Sequence, residues 1–536
     1  MVRSTFCFVV IDEAETVREW NSIGYLGAAL KKIDKISVEY YFVSSENAAS
    51  IIEEIGKKEP FAVGLPVLNS NIEDVVYFAE QLKKRDGRIQ IILGNLYATV
   101  YYKYLIEKSR AIDIVVIGEG ENTLVEVCKK LIAGLDWHDT EGICFLSSDR
   151  ITINSPRKLQ ENIDLLAFPD RSFIDHGTNI FSIIGSRGCS GTCTFCEANS
   201  VFCANIGSRV RYRSVQNIVE EIENILQSRG LPFAYINFDD QTFSYTDSLS
   251  RLSDLYTSIR KKKLNVQFCL AARAEQITDA FLQKLLQLKQ VGLTDLFIGI
   301  EAGNSKDLKL FGKRASLDDN DNALVLLQQY GFLNGEAGIS LRYGCINLHP
   351  YSSFETLRNN QEFLRRHKLF LFISIFANRL AVSGGNQITT KIERDGLLSK
   401  GNDPVVDPYG YIYEDSRMGE VYDLLTFSLD HLVHKKKINI RLLTNTRLIS
   451  CYLTLKRGSA FEIEVSRLVQ YFTALRDISH TVYSKILDIV EYSQGKHSIL
   501  PVLKAYELDI ENIGKELERL NTRLIIEEMK EGRVPI

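Results

Sequence analysis

Short apolar runs and amphipathic stretches alternate from residue 5 to about 135: TFCFVVID, SIGYLGAALKKI, SVEYYFVS, NAASIIEEIGKK, FAVGLPV, NIEDVVYFAEQLKKR, IQIILG and IDIVVIG. Apolar runs of this length suit strands buried on both faces, and the stretches between them carry apolar residues at three- and four-residue intervals. Together they predict a doubly wound, Rossmann-like parallel sheet over residues 1–140. Such a sheet binds ligands beyond the carboxyl ends of its strands, where the loops GLPVLNSN, GNLYAT and GEGENT fall. One glycine there often makes only a tight turn, but Gly64, Gly94, Gly118 and Gly120 at one edge point to a ligand crevice.

The stretch from Gly142 to Phe173 reads as a hairpin-like pair of strands and then a proline-punctuated linker, which places a boundary at residues 141–178. Beyond it the rhythm resumes with NIFSIIG, FAYINF, VQFCLAAR, LFIGIEAG, ISLRYGCI and LFISIFA. Six parallel strands, each followed by a helical segment, predict a partial (β/α)6 barrel over residues 179–412 with its active face at the strand ends. From 413 to 536 the pattern is helical throughout, and this tail is expected to be a cap or a substrate-recognition domain. The fold class is therefore α/β with a helical C-terminal domain, and three units suit a chain of 536 residues.

A net charge of -4 and a pI near 6.2 argue against a nucleic-acid binder held by phosphate contacts, and the run Lys261, Lys262, Lys263 reads as a solvated helix end. The longest apolar stretches, such as LFLFISIFA, are about half of what a spanning helix needs, so no membrane segment is expected. The N-terminus enters a strand-like run without the pattern of a signal peptide. Seven of the ten cysteines are scattered, most in apolar surroundings that suit buried reduced thiols, so a cytoplasmic location is expected.

The other three, Cys189, Cys193 and Cys196, sit together in GSRGCSGTCTFCEANS, just after the first strand of the barrel. Thiolates at short spacing on a glycine-containing loop converge on a metal, and soft sulfur selects zinc or iron–sulfur centres. Structural zinc wants four ligands; Cys203 is the nearest fourth, and no histidine lies between His176 and His349. A four-iron cluster on three thiolates leaves one iron open to a substrate or cofactor.

The spacing Cys189-x3-Cys193-x2-Cys196, with Phe195 before the last cysteine, resembles the signature of the radical S-adenosylmethionine (SAM) superfamily. GEGENT at 118–123, LLAFPDRS at 165–172, NFDDQTF at 237–243, AARAEQIT at 271–278, IGIEAGN at 298–304 and DGLL at 395–398 are similar to the branch with an N-terminal cobalamin-binding domain. The resemblance covers residues 1 to about 415. It implies a 4Fe-4S cluster held by Cys189, Cys193 and Cys196 that chelates SAM at its unique iron. It implies SAM contacts at Phe195, at Asp239 and Asp240 near the methionine amine, at Arg273 for the methionine carboxylate, and at Glu301 for the ribose hydroxyls. Cobalamin contacts are implied at Gly64, Asn69, Ser70, Gly94, Asn95, Tyr97, Thr99, Gly118, Glu119, Gly120 and Glu121.

Three departures stand out. The family turn Gly-Gly-x-His-x-Thr is here Gly94, Asn95, Leu96, Tyr97, Ala98, Thr99, with an asparagine where positive φ is needed. The first histidine of the chain is His138, so this domain offers no histidine as lower ligand of cobalt. NLHPYSSFETLRNN at 347–360 replaces a Pro-Gly-Glu-Thr turn, and His349 within it reads as a loop residue with a satisfied hydrogen bond.

The implied chemistry is reductive cleavage of SAM to methionine and a 5′-deoxyadenosyl radical, fed by an electron donor such as flavodoxin or ferredoxin. With cobalamin bound, the resemblance implies methyl transfer to an unactivated carbon, consuming two SAM molecules per methylation. The expected substrate is a small-molecule or peptide intermediate of a natural-product pathway rather than nucleic acid. Two alternatives stand beside this. One is a radical SAM rearrangement, cyclisation or oxidation that uses the N-terminal domain only as a scaffold; the other is a non-catalytic iron–sulfur or cobalamin sensor.

Overall fold

A computed structural model describes residues 4–11, 19–197, 210–240, 242–243, 248–333, 335–399, 407–454 and 458–530. The first sheet contains β1 (Ser4–Ile11), β2 (Ile36–Val43), β3 (Ala62–Pro66), β4 (Gln90–Gly94), β5 (Ile114–Val116), β6 (Ile143–Ser147) and β7 (Arg150–Ile153), in the order β2-β1-β3-β4-β5-β6-β7. The first five strands are parallel. Period-two alternation divides β1 between two cores: Cys7, Val9 and Ile11 face one side, Phe6, Phe8 and Val10 the other. Helices α2 (Ala48–Lys58), α3 (Ile72–Arg85) and α4 (Leu96–Lys108) cover the first side, and α1 (Asn21–Lys31) and α5 (Gly120–Ile132) the second. The strand order reverses between β1 and β3, which opens a crevice at their carboxyl ends.

The hairpin assigned to the connector belongs instead to this sheet. Strand β6 pairs antiparallel with β5 and β7 with β6, so the first structural unit runs past residue 140 to Ile153. Pairing covers the edge that β5 would otherwise expose.

The second sheet has five parallel strands, β8 (Ile180–Ile183), β11 (Ala234–Phe238), β12 (Val266–Arg273), β13 (Leu293–Glu301) and β14 (Ser340–Cys345), in the order β14-β13-β12-β11-β8. A two-stranded ribbon, β9 (Ser186–Arg187) with β10 (Arg211–Tyr212), stands at the exit of β8. The sixth strand expected at LFISIFA is instead a 3-10 turn, Ile373–Ala377, and a single parallel bridge between Leu348 and Arg379 marks its place.

That seam is closed from outside by the C-terminal helices. Tyr483, on the long helix Gly458–Glu491, stacks on Phe376 at 4.0 Å and accepts a hydrogen bond from Asn347 at 2.8 Å. Lower down, Arg447 reaches the amino-terminal end of the strands, where its guanidinium lies 5.1 Å from the Tyr235 ring and 3.7 Å from Asp295. The helical tail thus packs on the open seam and the lower end of the sheet, which is a different position from the cap the sequence suggested.

His480 on the same long helix is buried against Phe376, and neither ring nitrogen has a hydrogen-bond partner. Burial, with the charges of Arg476 and Arg365, pushes its pKa down to about 4 from the ordinary 6.5 of a histidine. The unfolded chain therefore takes up this proton first as pH falls, so the stability that neutral His480 contributes above pH 6.5 is lost between there and about 4. Thermal melts at pH 7 and pH 5 should show this loss, on the order of 2 kcal/mol, in the wild type, and His480→Leu should reduce it. An unchanged acid-side slope in the variant would contradict the assignment.

Candidate active site

A cavity of about 310 Å³ descends from the carboxyl ends of the first sheet between its strands and the α1–α5 layer. Its deep wall is apolar, from Phe6, Phe8, Ile23, Ile92, Val116 and Leu124. Its rim is formed by the glycine turns Gly64–Pro66, Gly94–Leu96 and Gly118–Glu121. A Cβ on Gly64 would stand 2.9 Å from the Phe6 ring, so only glycine passes there, whereas a Cβ on Gly94 would meet nothing within 4 Å. Asn95 takes φ 87° and caps α4 by accepting from the Leu96 N–H at 2.8 Å. Thr99 ties two turns together: its hydroxyl donates to the Asn95 carbonyl at 3.1 Å and accepts from the Gly118 N–H at 3.0 Å.

The opposite rim comes from the second sheet, through Ile184, Ser186, Arg187, Gly188 and Asp239. Arg211 grips Glu119 with two hydrogen bonds, 2.9 and 2.6 Å, and Arg187 reaches Glu119 at 3.3 Å and Glu121 at 2.5 Å. Burial would raise the Glu119 carboxyl, but Arg211 and Arg187 outweigh it and hold the group below its ordinary range. Further contacts join the units: Asn21 donates to Asp239 at 2.8 Å, and Glu19 accepts from Arg171 at 2.7 Å and from the Ser182 N–H at 2.5 Å.

The cysteine loop leaves this ribbon. Thr194 donates through its backbone to the Phe311 carbonyl at 2.8 Å and through its hydroxyl to Leu310 at 2.9 Å, and Thr192 donates to Gly312 at 2.9 Å. From the other side Asn386 donates to the Phe195 carbonyl at 2.9 Å, while the Phe195 ring meets Phe311 edge-on at 5.6 Å. Cys189, Cys193 and Cys196 are each half-buried, whereas burial pushes the Cys7 and Cys345 thiols up to about 12 and Cys144 to about 11. Among the described residues no three His, Cys, Asp or Glu side chains converge as ligands to one ion would. In a cubane each thiolate binds a different iron, so the ligands stand farther apart than around one ion. Cys203 lies outside the described residues.

Arg273, ending β12, reaches this loop. A Cβ on Gly191 would stand 2.6 Å from its Nη1, so a glycine is required for the approach. Burial works against the Arg273 charge, and Glu275, bonded to its Nε at 2.5 Å, with the nearby thiols of Cys193 and Cys189, outweighs burial. Its Nη2 is buried with no hydrogen-bond partner, a donor waiting for an anion beside the thiols. Glu301, ending β13, takes φ 66°, a costly conformation for a residue with a Cβ, and pairs with Lys313 at 3.0 Å.

Several sequence expectations are separated by these positions. Asp239 lines the cavity, but Asp240 turns the other way: it is buried and accepts from the Gly185 N–H at 2.9 Å and from the Ser186 hydroxyl. Burial pushes its carboxyl up to about 6 against those bonds. It therefore fastens the entry to the cysteine loop rather than facing the lumen. Tyr97 does not line the cavity; it stacks on Tyr101 at 5.3 Å and lies within electrostatic reach of Glu197 and Tyr409. Ser70 is exposed and away from the cavity, and the side chain of Asn69 lies outside the described residues. Glu119 and Glu121 are on the rim, but their carboxylates are engaged by arginines. His349 is buried; the Tyr351 N–H donates to its Nδ1 at 3.3 Å, and its Nε2 lies 3.2 Å from Asp307, off the line of a hydrogen bond. Arg187, Arg211 and Asn21 were not singled out from sequence, because contacts between distant segments leave no local pattern.

Residues 183–358 match the radical SAM superfamily, so the chain carries a radical SAM domain. Residues 9–128, ahead of it, match the B12 binding domain. An uncharacterized methyltransferase of Pyrococcus horikoshii is 23% identical over 316 residues, 58% of this chain and 66% of that protein. The chain spans 66, 56 and 53% of the length of three curated relatives it matches. The cobalamin-dependent SAM radical enzyme OxsB, with aqua-cobalamin and SAM bound, has the same fold at TM-score 0.74 and 18% identity, over 96% of this chain and 80% of that one. The radical SAM methyltransferase TsrM from Kitasatospora setae, with tryptophan and a SAM analogue bound, follows at 0.62 and 14%, over 88% and 99%. The cofactors of the chain are accordingly a 4Fe-4S cluster, SAM and cobalamin. The residues present fit all three: thiols on a pinned loop, an orphaned guanidinium N–H beside them, and an apolar cavity behind a glycine rim.

Removing one side of the rim ion pairs tests the junction. Glu119→Ala leaves Arg211 and Arg187 buried without their shared anion and should cost about 3 kcal/mol, read as a lowered urea midpoint. A loss below about 0.5 kcal/mol would mean that the pair adds nothing to the junction.

Proposed function

We propose that this chain is a cobalamin-dependent radical SAM methyltransferase acting on an unactivated carbon of a small molecule or peptide. The observation that carries the reading is the shared cavity: residues of the cobalamin-type sheet and residues leading into the cysteine loop line one space. Cys189, Cys193 and Cys196 would hold the cluster, and the free Nη2 of Arg273 would take the methionine carboxylate of SAM. Asp239 would accept from the methionine amine and Glu301 from the ribose hydroxyls. The cavity turns at Gly64, Gly94, Asn95, Thr99, Gly118 and Gly120 would seat cobalamin, and Phe6 and Phe8 supply the apolar wall behind them.

When bound, the cluster and cobalamin supply, respectively, the electron that opens SAM and a methyl carrier. The protein's own part is placement and exclusion of water. Arg273 and Glu275 keep a fixed charge pair beside the thiols, and Asp240 locks Gly185 and Ser186 so that the loop starts at a defined point. An external one-electron donor of the flavodoxin or ferredoxin kind completes the reading. Among the described residues no helix is long and apolar enough to cross a membrane.

Anaerobic reduction with methyl-labelled SAM tests this directly. The wild type should form 5′-deoxyadenosine and S-adenosylhomocysteine in equal amounts per label transferred to product, and Cys193→Ala should form neither. Deoxyadenosine with no label transferred would replace methylation by a rearrangement or oxidation.

A further inference from the structure

A second cavity, of about 400 Å³, lies where β14 ends and is lined by Cys345, Ala377, Asn378, Arg379, Tyr409 and Tyr422. Arg379 occupies the place of the missing sixth strand, bridged to Leu348. Its guanidinium carbon lies 4.5 Å from the Tyr409 ring and 4.1 Å from the Tyr422 ring. Aromatic rings engage a guanidinium through its faces and leave its in-plane N–H edge for other partners; the Tyr413 hydroxyl lies beside Arg379 on one side, and Arg379 itself lines the cavity. No Asp or Glu among the described residues pairs with Arg379, whereas Arg171, Arg187, Arg211, Arg213 and Arg273 each hold a carboxylate.

The position matters as much as the charge. The pocket opens at the carboxyl end of the second sheet, beside Cys345, whose register partner is Glu301. Tyr409 on its wall is near Tyr97 of α4, so the cavity lies where the first unit meets the barrel mouth. Tyr101, stacked on Tyr97, accepts from the Gly384 N–H, five residues beyond Arg379. The segment that carries Arg379 also meets the cysteine loop, since Asn386, seven residues on, donates to the Phe195 carbonyl at 2.9 Å.

We propose that Arg379, clamped by Tyr409 and Tyr422, binds an anionic group of the substrate, a phosphate or a carboxylate, and so sets its position at the barrel mouth. This rests on the reading of the chain as a radical SAM enzyme only for calling the ligand its substrate; the anion site stands on the cavity itself. A planar guanidinium edge matches both oxyanions in bidentate fashion, and the polar Asn378, which donates to the Cys345 carbonyl at 3.3 Å, adds a further amide to the wall.

The test uses the full chain, reconstituted anaerobically, with inorganic phosphate and acetate as probes and tyrosine fluorescence and melting temperature as readouts. The wild type should bind at least one of the two saturably, and R379Q should weaken that binding about tenfold or more while keeping the wild-type circular dichroism spectrum. R379K, which keeps the charge but not the fork, should retain an intermediate affinity. Binding of phosphate alone would assign a phosphorylated substrate, and binding of acetate a carboxylate. Equal binding of either ion by wild type and R379Q, or binding of neither by the wild type, overturns the proposal. Absence of 5′-deoxyadenosine from the reduced wild type would instead count against the radical SAM reading, independently of the titration.

Discussion

The carboxylates of Glu119, the residue before α5, and Glu121, on its first turn, are held by Arg187 and Arg211 on a two-stranded ribbon of the next unit. All four side chains are largely shielded from water, so either side left alone would be a buried uncompensated charge. The pairs therefore fix how the two sheets meet, and the cavity between them exists because of that fit. The same ribbon leads into the cysteine loop, so the clamp that orients the first unit also sets the starting point of the three thiols. Asp240 repeats the device from below, taking the Gly185 N–H and the Ser186 hydroxyl.

The barrel mouth combines tight fixation with a few unsatisfied groups. The loop between Cys189 and Phe195 is pinned from both sides by Leu310–Gly312 and Asn386. Against this background the unpartnered Nη2 of Arg273 and the positive φ of Glu301 stand out as places where the fold bears a cost that only a ligand would offset. A rigid frame around a few open donors suits chemistry that depends on placement more than on acid–base groups.

Much of this was legible in the sequence because periodicity and spacing are local. The strand–helix rhythm, the glycine edge and the cysteine spacing all lie within short windows. The run LFISIFA misled because a short apolar run reads alike as a buried strand or a buried turn; here it packs against Tyr483 from a helix a hundred residues away. The hairpin at 143–153 was recognised as strands but not as part of the first sheet, since antiparallel pairing to β5 has no sequence signature. Asp239 and Asp240 were given one role although neighbours on an extended strand face opposite ways, so alternation alone favoured separating them. The Glu119–Arg211 pair, 92 residues apart, was out of reach of any local reading.

The central claim is that cobalamin and a cluster on three thiols share one space. It is tested most directly by purifying the chain anaerobically with iron, sulfide and hydroxocobalamin, then measuring its absorption spectrum, iron content and bound cobalamin by mass spectrometry. The account predicts about four iron atoms and about one cobalamin per chain. A full cluster without cobalamin, under conditions where the cofactor is in excess, would contradict it.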